Sequence, residues 1–264
     1  MISKIIIFTD LDGTLLHSET FEFEKIRQYI KNLLSKNISI IPNSSKTKAE
    51  ILNFCHELKA ELPFIAENGA AIYKMNLINS DFPEKIILSR DKDEILSVFL
   101  KKIPKKFISK SKFVLKLKKD EQLKIFGLSE KQLSYASDRE FSVPLIFQGN
   151  KIEKNNLFKL VSDMGLTMQE GGRVINLSDN VGKSFAMKKV RRIFDKTEKQ
   201  ELKIIGVGDN FNDLNMLKNS DIACLVFNEK FKLDTLNINN CLVSKKPAPE
   251  GWEEVVKMAL EKIQ

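Results

Sequence analysis

A chain of 264 residues with 42% hydrophobic content is long enough for one large domain or two modest ones with a proper core. No stretch approaches the ~18 consecutive apolar residues of a membrane span, and the N-terminus enters an apolar run without a charged, apolar, small-residue leader pattern, so a cytoplasmic protein with no membrane partner is expected. The net charge is +8 and nine lysines fall between Lys101 and Lys119; lacking arginine and exposed-aromatic interleaving, that run reads as a solvated face and not as a nucleic-acid platform, while the basic field suits a phosphorylated, anionic small molecule.

Residues 5–8 are an unbroken apolar run bounded by turn chemistry, the pattern of a strand buried on both faces in a parallel sheet flanked by helices. Such a strand delivers Asp10 and Asp12 to its carboxyl end, where open α/β sheets place their ligand crevice. Two carboxylates there need a cation or a shared proton; the alternative is a helix-capping aspartate beside a turn aspartate. Ile26, Ile30, Leu33 and Leu34 recur at helical spacing over about 21–36. A second short strand at 38–41 leads to Asn43-Ser44-Ser45-Lys46, and Thr47 with Glu50 reads as a capping box for the helix that follows. Hydroxyls and an ammonium before a helix N-terminus suit a phosphate, or serve only to cap. Phe64-Ile65-Ala66 is a third strand and ends in Glu67-Asn68-Gly69.

From about residue 82 to 177 the pattern changes. A helix over 93–103, a strand at 112–117 with alternating lysines, a helix near Glu130, a strand at 143–148, a helix over 152–164 and a strand at 173–177 predict an antiparallel sheet with one wet face and helices on the other. The doubly wound pattern then resumes with a helix opening at Lys183 and a strand at 202–207 that ends in Gly208-Asp209-Asn210-Phe211-Asn212-Asp213. A strand at 222–227 and a final helix over about 250–263 follow, the helix carrying Trp252, Val255, Val256, Ala259 and Ile263 on one face. The predicted fold is α/β, a doubly wound parallel-sheet domain over 1–82 and 178–264 with an α+β domain inserted at 83–177. Cys55, Cys224 and Cys241 are widely spaced, and with only His17 and His56 available no zinc cluster can be built from them.

Asp10 and Asp12, Ser44, Lys183, and Asp209 with Asp213 all follow strands or open helices of one sheet, a set suited to phosphoryl transfer. A carboxylate meeting a phosphate dianion is repelled, and Mg²⁺ relieves that repulsion with the oxygen ligands that an aspartate-only cluster offers. In this reading Asp10 attacks phosphorus, Asp12 is the acid and base, Ser44 and Lys183 hold phosphoryl oxygens, and Asp213 either joins the metal or caps its helix.

The ordered motifs Asp10-Leu11-Asp12-Gly13-Thr14, Ser44, Lys183 and Gly208-Asp209-Asn210-Phe211-Asn212-Asp213 resemble those of the haloacid dehalogenase superfamily, and the insertion resembles the large α/β cap of its sugar-phosphatase branch. The resemblance implies a Rossmann-like core, Mg²⁺, an aspartyl-phosphate on Asp10, metal ligation by the Asp10 carboxylate, the Asp12 carbonyl and Asp209 with Asp213 in the same motif, and phosphate contacts from Ser44, Lys183 and Asn212. A narrower resemblance runs along the chain. Ser44-Ser45-Lys46-Thr47-Lys48-Ala49-Glu50, Glu67-Asn68-Gly69-Ala70-Ala71-Ile72, Ala136-Ser137-Asp138-Arg139-Glu140-Phe141, Gln169-Glu170-Gly171-Gly172-Arg173 and Pro249-Glu250-Gly251-Trp252 are similar to the mannosyl-3-phosphoglycerate phosphatase family. It implies Ser45, Lys46, Glu67, Asn68, Arg139, Glu140 and Arg173 as substrate residues, with the arginines toward a glycerate carboxylate and Glu140 toward sugar hydroxyls. Ser44 stands where that family commonly has threonine, and residues 174–180 lack its usual histidine and glycines. The expected activity is hydrolysis of mannosyl- or glucosyl-3-phosphoglycerate. Another sugar-phosphate phosphatase, a phosphosugar mutase and a basic nucleic-acid-binding protein with an inactive core are the rival readings.

Overall fold

The structure, a computed structural model, describes residues 3–171, 173–229, 238 and 240–263. In chain order it runs β1 (Lys4–Thr9), α1 (Arg27–Ser35), β2 (Ser39–Pro42), α2 (Lys48–Leu58), β3 (Phe64–Ala66), β4 (Ala71–Tyr73), β5 (Lys85–Ile87), α3 (Lys92–Lys102) and α4 (Lys105–Ile108). It continues through β6 (Ser111–Phe113), α5 (Lys119–Phe126), α6 (Glu130–Ser137), β7 (Ser142–Phe147), α7 (Lys151–Asp163), β8 (Leu166–Glu170) and β9 (Ile175–Asp179). It closes with α8 (Lys183–Thr197), β10 (Leu202–Gly208), α9 (Leu214–Lys218), β11 (Ile222–Leu225), β12 (Leu242–Val243) and α10 (Glu250–Glu261).

The chain divides into two compact units, one of Met1–Ser45, Cys55–Ile86 and Gly182–Gln264, the other of Lys46–Phe54 and Ile87–Val181. The first is built on a parallel sheet ordered β12-β11-β10-β1-β2. β1 lies inside it, paired with β10 and β2, and its Ile6, Ile7 and Phe8 are fully buried, as an unbroken apolar strand covered on both faces requires. α10 covers this core with Trp252, Val255, Val256 and Ala259, the predicted face; Ile263 lies beyond the helix and is half-buried. β3, expected as a third strand of the same series, instead starts a separate sheet ordered β3-β4-β5. Its turn at Glu67-Asn68-Gly69 folds it back antiparallel on β4, and a parallel bridge from Asn43 to Ile65, with the Asn68 N–H on the Ser44 carbonyl at 2.8 Å, ties it to the end of β2.

The second unit holds the antiparallel sheet β6-β7-β9-β8. Val143, Leu145, Ile175, Leu177, Leu166 and Met168 share a core with Ile95 and Phe99 of α3 and Leu157 and Val161 of α7. Alternate residues Ser142, Asn176 and Ser178 belong to the other face of the pleat, and they too are buried, so the wet face expected from sequence is not exposed at these positions of β7 and β9. The strand expected at 112–117 stops at Phe113 and gives way to a 3-10 turn over Val114–Lys116. Val114 turns inward to a small cluster with Phe126 of α5 and Leu133 of α6, and that packing overrides the alternating pattern.

The chain crosses between the units at Ser45/Lys46, Phe54/Cys55, Ile86/Ile87 and Val181/Gly182, where the sequence reading expects crossings at 82/83 and 177/178. β5 pairs with β4 and so holds the chain in the first unit past residue 82. Arg90 grips Asp179 through its backbone N at 3.0 Å, Nε at 3.1 Å and Nη2 at 2.7 Å, which joins the two crossing segments inside the second unit. Residues 46–54 group with that unit, where Thr47 Oγ1 donates to the Tyr135 carbonyl at 2.8 Å. The Thr47–Glu50 capping box forms as read, with the Thr47 N to Glu50 Oε2 at 2.9 Å and the Glu50 N to Thr47 Oγ1 at 3.1 Å. Among the described residues no helix is long and apolar enough to cross a membrane.

Candidate active site

β1 and β10 are parallel neighbours with Thr9 opposite Val207, so the residues that follow them, Asp10 and Asp209, leave the sheet side by side. The turn after β10 brings in Asp213, and carboxylate oxygens of Asp10, Asp209 and Asp213 lie within 4.8 Å of one another, all three residues buried. Lys183, in the first turn of α8, reaches the same point. Its Nζ stands 2.7 Å from Asp10 Oδ1 and 2.7 Å from Asp213 Oδ1, with the residue only 3% exposed. Asn43, at the end of β2, donates to the Lys183 carbonyl at 3.0 Å and so fixes the start of the helix.

Three buried carboxylates face one ammonium. Burial alone would lower the Lys183 pKa, but Asp10 and Asp213 overcome it and hold the ammonium above its ordinary value. The carboxylates bear the excess. Burial, then the charges of Asp213 and Asp10, push Asp209 up to about 7. Burial also raises Asp213, to about 6, against the opposing pull of Lys183. A divalent cation with a preference for oxygen ligands fits this donor set, because it supplies the positive charge that the protein leaves short.

Asp213, read from sequence as a metal ligand or a cap, makes the cap contacts and also belongs to the three-carboxylate cluster that could hold an ion. Its Oδ2 accepts from the backbone N–H of Asp209 at 3.2 Å and of Asn210 at 3.3 Å, and its Oδ1 holds Lys183. Asp12 is half-buried, and among the described residues its carboxylate is not one of the three that converge. Gly13 has φ +80 and a Cβ there would sit 2.8 Å from Asp209 Oδ2, so only glycine lets the loop after β1 lie against that carboxylate.

A family model described as haloacid dehalogenase-like hydrolase matches residues 7–237. The chain belongs to that family. This hydrolase is 31% identical over 269 aligned residues, 98% of each chain, to a protein of Persephonella marina named glucosyl-3-phosphoglycerate/mannosyl-3-phosphoglycerate phosphatase. A protein of the same name from Methanococcoides burtonii is 29% identical over 96% of each chain. Among solved structures, a protein of Thermoplasma acidophilum superposes with a TM-score of 0.69 at 14% identity, covering 99% of this chain and 100% of its own, a likeness of fold.

In this hydrolase Ser44 is 1% exposed at the end of β2; its N–H donates to the Ile65 carbonyl at 3.1 Å and its carbonyl accepts from the Asn68 N–H at 2.8 Å. Glu67 and Asn68 are buried with φ of 48 and 58, followed by Gly69 at 97, three successive left-handed residues. Strained backbone of this kind persists only where surroundings impose it, and Gly69 packs so closely on the Gly182 carbonyl that no Cβ would fit. Ser45 is half-buried, and Asn212 lies exposed in the 3-10 turn Phe211–Asp213.

The remaining predicted residues belong to the second unit. Lys46 Nζ pairs with Glu50 Oε1 at 3.4 Å. Arg139 is buried and its Nη1 donates to Ser142 Oγ at 2.9 Å, while the Glu140 carbonyl accepts from the Lys92 N–H at 2.8 Å. Arg173 is exposed and its Nη1 donates to the Phe126 carbonyl.

Four residues entered the core site without a role from sequence: Asn43, Thr14, Asn228 and Thr9. Thr14 Oγ1 donates to Asp209 Oδ1 at 2.7 Å and Asn228 Nδ2 to Asp209 Oδ2 at 2.8 Å. Thr9 Oγ1 accepts from Trp252 Nε1 at 2.9 Å and donates to the Asp10 carbonyl at 2.7 Å. Thr14 had a signal in its place beside Asp12-Gly13; Asn228 follows an apolar strand with no pattern of its own.

Proposed function

We propose that this hydrolase is a Mg²⁺-dependent phosphatase that removes phosphate from a glycosyl-3-phosphoglycerate, mannosyl or glucosyl. The observation that carries the chemistry is the enclosed ammonium of Lys183 shared between Asp10 and Asp213 beside Asp209. The substrate rests on the names of the two relatives that match nearly the whole chain.

Asp10 and Asp209 would hold the cation, with the Asp12 carbonyl. When bound, Mg²⁺ offsets the repulsion between these carboxylates and the phosphate dianion. Lys183 engages Asp10 Oδ1 at 2.7 Å, so Oδ2 would be the oxygen that attacks phosphorus. The Asp10 Oδ2–phosphorus bond forms as the phosphorus–oxygen ester bond breaks, and the leaving alkoxide takes its proton from the Asp12 carboxyl. A water then attacks phosphorus, gives its proton to the Asp12 carboxylate and displaces Asp10, which returns to a free carboxylate as inorganic phosphate leaves. Asp10 and Asp213 hold Lys183 charged in the free site, Asp213 and the phosphoryl oxygens would do so once Asp10 is phosphorylated, and Lys183 steadies those oxygens together with the Ser44 hydroxyl. Asp213 serves through Lys183, which it holds in place, and through the turn it caps. Ser45, Lys46, Glu67, Asn68, Arg139, Glu140 and Arg173 are proposed to read the sugar and the glycerate, and Asn212 the phosphate.

The test is phosphate release with Mg²⁺ from mannosyl-3-phosphoglycerate, glucosyl-3-phosphoglycerate and plain hexose phosphates, with Asp10→Asn alongside. A strong preference for a glycosyl-phosphoglycerate, abolished in Asp10→Asn, is expected. Equal turnover of plain hexose phosphates would retain the chemistry and overturn the substrate. Transfer of phosphate back to a sugar phosphate without net release would identify a mutase instead.

A further inference from the structure

Asp209 is clamped on both oxygens. Oδ1 accepts from Thr14 Oγ1 at 2.7 Å and Oδ2 from Asn228 Nδ2 at 2.8 Å, while Asn228 Nδ2 also lies 3.5 Å from the Asp209 carbonyl. Two acceptors facing one amide settle its orientation: the nitrogen, not the oxygen, points at Asp209. The segment that carries Asn228 is itself pinned. The Val226 N–H donates to the Gly208 carbonyl at 2.9 Å, and the Phe227 N–H to Ser244 Oγ at 2.8 Å. Ser244 is anchored in turn by its N–H on the Leu225 carbonyl at 3.0 Å and its hydroxyl on the Lys246 carbonyl at 2.6 Å. The chain after β11 is therefore laid along the end of β10, and Asn228 is the side chain it brings to the acidic cluster.

We infer that Asn228 is a positioning residue that orients the Asp209 carboxylate and thereby sets the affinity of the site for a divalent cation. The inference rests on the metal reading given above. A carboxylate offers about four lone-pair sites, and one hydrogen bond on each oxygen fixes its plane while leaving the others free for a cation. Among three buried carboxylates this matters more than usual, because mutual repulsion would otherwise turn Asp209 away from Asp10. An amide does the work without adding charge. An aspartate at 228 would remove the donor and bring another negative group to the cluster.

The experiment is Mg²⁺ titration by calorimetry on the full chain, wild type against Asn228→Ala, Asn228→Ser and Asn228→Asp, with phosphate release followed as Mg²⁺ is raised. Outer-shell partners typically account for about 10–100-fold in metal affinity, so a Kd weaker by that factor is expected in Asn228→Ala and Asn228→Ser. Their phosphate release should recover as Mg²⁺ is raised, and Asn228→Asp should bind no more tightly than wild type despite its additional carboxylate. A folded Asn228→Ser or Asn228→Ala protein with unchanged Mg²⁺ affinity and a loss of turnover at every Mg²⁺ concentration would show a merely structural role and overturn the inference alone. Absence of Mg²⁺ binding by the wild type would overturn the metal reading as well.

Discussion

Asp209 and Asp213 carry a cost that most aspartates in folded proteins do not. A paired surface carboxylate has its pKa lowered on folding and stabilises the fold above its unfolded value; these two are raised by burial, to about 7 and about 6. The sign is therefore reversed. Their contribution to stability is present while they are protonated and is lost as pH rises from the ordinary carboxylate range through these values. A bound cation removes that penalty and must displace the protons to bind, so its affinity rises with pH over the same window. The expected result is that the gain in Tm from Mg²⁺ is larger above pH about 7 than below about 6. Thermal scans with and without Mg²⁺ across pH would check it, and a gain independent of pH would contradict it. At this scale the aspartates and Lys183 were legible, because an acid or a lysine directly after a buried strand or at a helix start has few bland uses in combination. Of the two groups that orient Asp209, Thr14 had a signal in its motif but no role, and Asn228 had neither, since the partner of a threonine or an asparagine depends on where the chain folds.

The element that ties the core to the chemistry is α10. Trp252 is fully buried, stacks edge-on with Tyr29 at 6.2 Å between ring centroids, and reaches Thr9, whose hydroxyl donates onward to the Asp10 carbonyl. Removing the ring leaves a large cavity, and Trp252→Ala should cost about 3–5 kcal/mol. Trp252→Phe keeps most of the apolar burial but loses the Nε1 donor to Thr9, and should cost about 1–3 kcal/mol. Urea unfolding of the two variants measures both, and an equal cost for the two would show that the hydrogen bond, not the packing, dominates. The periodic face of α10 was readable before folding because it faces one continuous core. The end of β6 was not. Val114 is drawn into a cluster with Phe126 of α5, a helix the sequence reading did not include, and Leu133 of α6, and no local pattern shows that these segments meet.

Over the whole molecule, the net charge of +8 is concentrated where acids are missing. Lys112 is exposed on β6, an edge strand of its sheet, and Lys101, Lys102, Lys105, Lys106 and Lys116 are exposed on α3, α4 and the 3-10 turn that flank it in sequence, while Lys110 and Lys119 are paired with Glu153 and Glu130. Lysines on a sheet edge discourage another copy from adding its own strand. Replacing those six by glutamine should promote concentration-dependent self-association, visible by sedimentation velocity, with kcat for phosphate release unchanged; a variant that stays as dispersed as the wild type would remove that role. By itself the chain of residues determined a buried parallel strand ending in aspartates, a second sheet of alternating type inserted after it, and the set of charged groups expected at the strand ends. These follow from local apolar period and from motif order, which need no knowledge of distant neighbours. Tertiary structure alone decided that β3 leaves the parallel sheet, that residues 46–54 group with the inserted unit, that Asp213 serves Lys183 and its turn, and that Asn228 meets Asp209. Each of those outcomes depends on which strands become neighbours, and that is set by the packing of segments far apart in sequence.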